Sequence, residues 1–273
     1  MKTTTRPAPR WDPKTIFAVH ADHADGLSPS EIATKRDLPL LTVQAFLRPS
    51  EQTCRLASPY RFRRGRLPDN AAIQAYWLGY IAATGRVCGQ QAFTTLVLSI
   101  HRDDERHVET LAADLVVGHA RVEFVDSSLD GRQAYIRDRA LGEVLTQWGL
   151  AATREALDVP LEYLPPAVLP DFARGYLEGS RLEPPFGGRA SGPRRAPARL
   201  ALAGPTALIR ALAAGLQAAC GVRAAAVTPS RESDVARAVF SRADSAKVMA
   251  RLYHRPVRSS PRAAPLAARF AEA

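Results

Sequence analysis

Two short stretches constrain this chain more than any other feature. AYWLGYIAATG, Ala75 to Gly85, and LPDFARGYLEGSR, Leu169 to Arg181, each carry small residues one helical turn apart, Gly79 and Ala83 in the first and Gly175 and Gly179 in the second. Residues four apart share a helix face, so each stretch presents a flat stripe. Flat stripes let two helix backbones approach closer than the separation of about 8–10 Å set by larger side chains. One stripe therefore predicts a partner, and the chain supplies it about a hundred residues later, which implies an internal repeat.

The text downstream of each stripe supports the repeat. After the first come the strand-like FTTLVLSI, a helix at RDDERHVETLAADLV, strands at ARVEFVDS and RQAYIRD, and a helix at RALGEVLTQWGL. After the second come a strand at ARLALA, a helix at PTALIRALAAGLQAAC, strands at VRAAAVTPS and DVARAVFS, and a helix at RADSAKVMARLYH. Helix, two strands, helix, two strands, helix is thus written twice. The first strand of each half is the weakest signal, hidden in RVCGQQ and in EPPFGGRASGPRRAPAR. The fold class expected is α+β, with two pseudo-symmetric αββαββα repeats at 71–160 and 161–254.

Upstream the text changes. Residues 1–10 read as disordered, and residues 11–57 as a small all-α unit of short helices. Ser28 with Glu31 three residues on forms a capping box before one of them. Ile32, Ala33, Leu38, Val43 and Phe46 fall where a helix-turn-helix buries its side chains. Arg36 stands where an apolar residue is common, and Asp37 where glycine is common in the turn. Residues 58–70 form a basic linker in which Arg61, Arg63, Arg64 and Arg66 surround Phe62 and Gly65, suited to lie along a phosphate backbone or to remain solvated. Residues 255–273 read as a disordered basic tail.

The 273 residues carry 37 basic against 27 acidic side chains, a net charge of +10, and 46% apolar residues, enough for a substantial core. Such a balance favours a polyanion as partner, because arginine neutralises phosphates and releases counterions. Cys54, Cys88 and Cys220 are odd in number and far apart, which supports neither a disulfide framework nor a zinc knuckle and suits a reducing cytoplasm. No run of about 18 apolar residues suggests a membrane span, and the first residues lack the apolar core of a signal peptide. His20 and His23 lack a third metal ligand. The acids of SIHRDDERH most simply favour a helix start, while Trp77, Trp148, Phe172 and Tyr176 read as core.

With these residues in view the chain resembles the LAGLIDADG homing endonucleases of the single-chain, two-repeat kind, over about Ala71 to His254. WLGYIAATG and ARGYLEGSR match the name motif. The resemblance implies a saddle in which the motif helices pack side by side and two four-stranded sheets lie across the DNA major groove. On that reading Arg132, Arg137, Arg223 and Arg237 are strand contacts to DNA, joined by Arg86, Arg194 and Arg195 and by the linker arginines. A groove-width ribbon with polar residues on one face is physically suited to reading base edges.

In the active family the last acid of each motif holds divalent metal at the foot of its helix. Here those positions are Thr84 and Ser180. A neutral hydroxyl brings no charge to hold a dication that gives up water reluctantly. Glu178 is the one acid left in either motif. It lies two positions early, about 160° away at about 100° per residue, which suits a structural salt link or cap near Arg174 or Arg181. The scaffold is therefore expected to persist without its cutting groups, as in WhiA-type regulators, which pair a degenerate domain of this kind with a helix-turn-helix in the opposite order. The expected function is a catalytically silent, sequence-specific binder of double-stranded DNA, a transcription or DNA-maintenance factor, bacterial and nucleoid-associated. It would need no cofactor or metal, no small-molecule substrate and no membrane, and would be a monomer, with a dimer as the alternative. Two other readings stay open: an active endonuclease using Mg²⁺ and noncanonical ligands such as Glu178, and a protein-interaction scaffold.

Overall fold

The computed structural model describes residues 13–47, 54–59, 70–88, 94–116, 121–127, 131–150, 157, 159–180, 199–230, 234–263 and 270. The chain divides into two compact units, Met1–Pro49 and Ser50–Ala273.

The small unit holds α1 (Pro13–Ala24), α2 (Pro29–Arg36) and α3 (Leu40–Leu47). The capping box forms as read: the Ser28 hydroxyl accepts from the Glu31 amide at 3.3 Å, and the Ser28 amide donates to Glu31 Oε2 at 2.7 Å. Asp37 ends α2 with φ 51° and ψ 48°, the left-handed conformation that glycine usually supplies and that Asp tolerates among side-chain-bearing residues. Val19, Ile32 and Val43 are fully buried, with Leu27, Ala33, Leu38, Phe46 and Leu47 packed around them. Arg36 departs from the apolar pattern because, with Lys35, it neutralises buried Asp22, by contacts of 2.5 and 2.8 Å. The Arg36 hydrogen bond holds the Asp22 carboxyl below its usual range against the opposing effect of burial, with help from Lys35.

The large unit is built around α4 (Ala71–Thr84) and α7 (Leu169–Gly179). Nearly every residue of both helices is buried; α4 is accordingly apolar all round, whereas α7 carries Asp171, Arg174 and Glu178 on one side and buries the last two. The two run parallel, Gly79 lying against Phe172 and Tyr176, Gly175 against Tyr76 and Tyr80, and Gly179 against Tyr80 and Ala83. A Cβ on Gly79 would strike the Phe172 carbonyl, and one on Gly175 the Tyr76 carbonyl. The four small residues therefore form the seam expected of them.

Downstream of α4 come β1 (Gly85–Cys88), β2 (Thr95–His101), α5 (Glu105–Leu115), β3 (Val122–Asp126), β4 (Gly131–Arg137) and α6 (Arg139–Gln147). Their strands form an antiparallel sheet in the order β1-β2-β4-β3. Downstream of α7 come β5 (Ala201–Pro205), α8 (Thr206–Cys220), β6 (Ala226–Pro229), β7 (Val235–Val239) and α9 (Arg242–Leu252). They give a three-stranded antiparallel sheet in the order β5-β7-β6. The strand expected within 181–198 lies outside the described residues. Both halves are therefore α+β, as expected, and polar caps set several helix starts, Asp138 for α6 and Ser241 for α9.

Two domain boundaries differ from the sequence reading. Cys54, Leu56 and Ala57 join the core of the large unit. The Ala57 amide donates to Gln74 Oε1 and its carbonyl accepts from Trp148 Nε1, both at 2.8 Å, so the small unit ends before them. The second correction concerns the basic tail. Ser260 and Ala263 are buried, and the segment 255–263 is tied to the rest of the large unit. Arg258 grips Asp114 by two bonds of 2.8 and 3.0 Å, and Arg262 reaches buried Asp104 at 3.3 Å. Composition suggested disorder because the segment is short, basic and rich in proline; it is ordered because its arginines find carboxylates distant in sequence.

Candidate nucleic-acid interface

The feet of the paired helices carry Thr84 and Ser180 in equivalent places. The Thr84 hydroxyl donates to the Tyr80 carbonyl at 2.8 Å, and the Ser180 hydroxyl to the Tyr176 carbonyl at 2.7 Å. Each proton returns to the carbonyl four residues back on its own helix, a bond no ionised carboxylate could make, since it has no proton to donate.

Glu178 points away from that foot. It is 2% exposed and accepts from the Tyr76 hydroxyl at 2.7 Å, the Ser260 amide at 2.6 Å and the Ser259 hydroxyl at 3.2 Å. The salt link expected with Arg174 is replaced by these bonds. Arg174 turns instead to the carbonyls of Leu252 and Arg258 and to Asp171, with its guanidinium 5.2 Å from the Tyr76 ring centre. Arg181, the other expected partner, lies outside the described residues. Burial raises the Glu178 pKa, while Tyr76 and the Ser260 amide pull it back.

Tyr76 also meets His107 Nε2 at 2.7 Å. Because the Tyr76 proton goes to Glu178, this bond needs the proton of His107 on Nε2. Burial lowers the His107 pKa to about 4, with Arg258 acting in the same sense and Asp114 opposing. Sequence reading placed His107 among acids at a helix start. Its helical spacing with buried Val108, Leu111 and Leu115 was the available sign that it faces inward.

The sheets carry most of the remaining arginines, and the strand register sorts them. On the first sheet Leu96, Leu98, Ala134 and Ile136 pair across strands and face the helices. The opposite face carries Ser99 beside Gln133, Val97 beside Tyr135, and Thr95 beside Arg137, with Arg86 next to Val97 at the edge. Arg86 and Arg137 thus lie on the outward face, Arg137 paired with Glu123 at 2.8 Å. Arg132 does not. Side chains alternate along a strand, so Arg132 shares the face of Ala134 and Ile136, where it meets Glu105 at 2.7 Å and Asp126 at 2.8 Å. Arg132 and Arg137, five apart, could never have shared a face, whereas Gln133, Tyr135 and Ser99, passed over by the sequence reading, do share one with Arg137.

On the second sheet Leu202, Gly204, Ala236 and Ala238 face inward. Arg237 is outward and exposed, between Ala203 and Thr228. Arg223 precedes β6, because that strand begins only at Ala226; its backbone instead hydrogen-bonds Asp244 in the first turn of α9. Arg61, Arg63, Arg64, Arg66, Arg194 and Arg195 lie outside the described residues. Trp77, Trp148, Phe172 and Tyr176 are fully buried, as expected of core. Among the described residues no group of three or more His, Cys, Asp or Glu gathers as a metal cage, and no helix is long and apolar enough to cross a membrane.

No family model matches the sequence. No curated protein matches it either. Solved structures do. The chain superposes on I-DmoI, whose crystal structure is in complex with DNA and calcium, with a TM-score of 0.53 and 14% identity over 76% of this chain and 100% of that one. The meganuclease I-SmaMI bound to uncleavable DNA aligns with a TM-score of 0.44 and 9% identity over 72% of this chain and 87% of that one. The likeness to I-DmoI is one of architecture, and the architecture it identifies in this chain is the fold of the LAGLIDADG homing endonucleases.

Proposed function

We propose that the protein binds double-stranded DNA sequence-specifically and does not cut it, serving in transcription control or DNA maintenance. The observation that carries this reading is the pair of hydroxyls at the helix feet, each bonded back to its own helix. Phosphodiester hydrolysis on this scaffold needs anionic oxygens to hold a divalent metal at the scissile phosphate. The donor set at the feet does not fit such an ion: two neutral oxygens are present, and the nearest motif acid, Glu178, is engaged by Tyr76 and Ser260. Binding is supported by the net charge of +10, by the outward arginines of both sheets and by the fold shared with a DNA-bound protein.

Binding and cutting are tested together by selecting bound fragments from random duplex DNA and incubating the complex with Mg²⁺ or Mn²⁺. We expect retained, unbroken duplex, and log affinity falling against log salt with a slope of roughly −5 to −9, as for about six to ten phosphate contacts. A double-strand break would replace the silent reading by an active one, and a slope near zero would remove DNA as the partner.

A further inference from the structure

The two outward sheet faces share a scaffold and differ in chemistry. On the first, Ser99, Gln133, Tyr135 and Arg137 stand on neighbouring central strands, with Arg86 at one edge and Glu123 and the exposed Val125 at the other, so that polar side chains dominate. Gln133 can pair bidentately with adenine and an arginine with guanine, and the Tyr135 hydroxyl already donates to Gln133 Oε1, which fixes the amide. On the second face the register brings out Ala203, Ala226, Val235 and Val239, with Thr228 and Arg237 the only polar side chains among the described strand residues of that face. Methyl groups at strand spacing offer no donors to base edges. They are complementary to the one apolar group the major groove presents, the 5-methyl of thymine. Arg237, in the middle of them, supplies the positive charge that a phosphate-bearing partner requires.

Resting on the DNA-binding reading above, we propose that the two halves of the site are read by different chemistry, the first-sheet half by hydrogen bonds to purine edges and the second-sheet half through thymine methyl groups. Alternation along strands makes this division sharp, since each strand shows the duplex only every second residue.

The test uses the full chain and a duplex selected from random DNA. A second selection with Gln133→Ala identifies the half read by the first sheet, as the positions whose preference relaxes. Deoxyuridine then replaces each thymine in turn, deleting only the methyl, and 7-deazapurines replace each purine, deleting only the N7 acceptor. Deoxyuridine should weaken binding about fourfold per contacted thymine in the second-sheet half and matter in the other half at no more than the one position that Val125 could reach. The 7-deaza substitutions should cost about tenfold or more, in the first-sheet half. Val239→Ser, which removes both methyl groups, should abolish the uracil effect at one position while the salt slope stays the same. Uracil penalties shared equally between halves, or absent from the second, would overturn the proposal with DNA binding intact. Failure to retain any duplex at low salt would instead remove the reading on which it rests.

Discussion

The two motif helices are nearly interchangeable along the line where they touch and unlike one turn to the side. Gly79 and Gly175, Tyr80 and Tyr176, Thr84 and Ser180 occupy matching places, each pair with matching contacts at the seam or the foot. Beside the seam, where α4 buries Leu78 and Ala82, α7 buries Arg174 and Glu178, both 2% exposed. Backbone contact admits nothing larger than a hydrogen or a methyl, so the seam had to be alike. A buried charge is tolerated wherever its partners can be brought, and here they come from Tyr76 and from the segment 255–263. Symmetry in this molecule is thus a property of close approach, and of the two helices only α7 puts charged side chains beside the seam.

The hardest blow to the comparison is a side chain in the seam. Gly175→Val and Gly79→Val should each cost about 4 kcal/mol or more and abolish cooperative unfolding, because the obstacle is a backbone carbonyl that no rotamer change relieves. Thermal denaturation of the two variants should give matching losses; a tolerant Gly79 beside an intolerant Gly175 would show that the seam is less symmetric than it looks.

Next in size is the one-sided network. Glu178→Ala would leave the Ser260 amide and the Tyr76 hydroxyl buried without their acceptor, at a cost of about 3 kcal/mol. Ala82→Gly, on the matching side of α4, removes one methyl and adds backbone freedom, for about 1 kcal/mol. Chemical denaturation should separate the two. Equal losses would mean that Glu178 does no more than fill space.

The pH dependence of stability sharpens the same contrast. Burial depresses the His107 pKa to about 4 from an ordinary value near 6.5. The unfolded chain therefore takes up a proton between those values that the folded chain refuses. The stability associated with neutral His107 is fully present above about 6.5 and is lost as pH falls toward about 4, a change on the order of 3 kcal/mol. Glu178 and Asp104, raised by burial, act in the opposite sense: what they contribute is present at low pH and lost as pH rises through their folded values. His107→Gln should remove the histidine-linked slope between pH 6.5 and 4 and leave the carboxylate part. An unchanged profile would place His107 in contact with solvent.

The smallest effect belongs to the segment that closes the network. Arg258→Ala should cost about 1 kcal/mol, since its side chain remains 35% exposed and the ion pair with Asp114 is partly screened. Hydrogen exchange at the Ser260 amide should accelerate in this variant. Protection equal to the parent's would show that the segment is held by Ala263 and its neighbours alone.

Much of this was legible from residue order. Gly79, Ala83, Gly175 and Gly179 could be read because steric exclusion leaves so few residue types at a backbone contact. The small unit could be read from Ser28 and Glu31, whose cap is local. Arg132 lies on the inward face, bonded to Glu105 and Asp126, although the period of two already separates it from Arg137 five positions on. Arg223 stands off its expected strand for another reason, the late start of β6 at Ala226, which pairing with β7 decides.

The sequence by itself determined what neighbours along the chain can enforce: helix starts, strand alternation, the stripes, and the absence of acids at the two helix feet. Only the tertiary structure decided that Glu178 binds Tyr76 and Ser260, that His107 is buried against Tyr76, and that residues 255–263 of the basic tail are held on Asp114 and Asp104. Those contacts join residues dozens to more than a hundred positions apart. Their free energy depends on burial and on the partner's distance, and neither is fixed by the residues on either side.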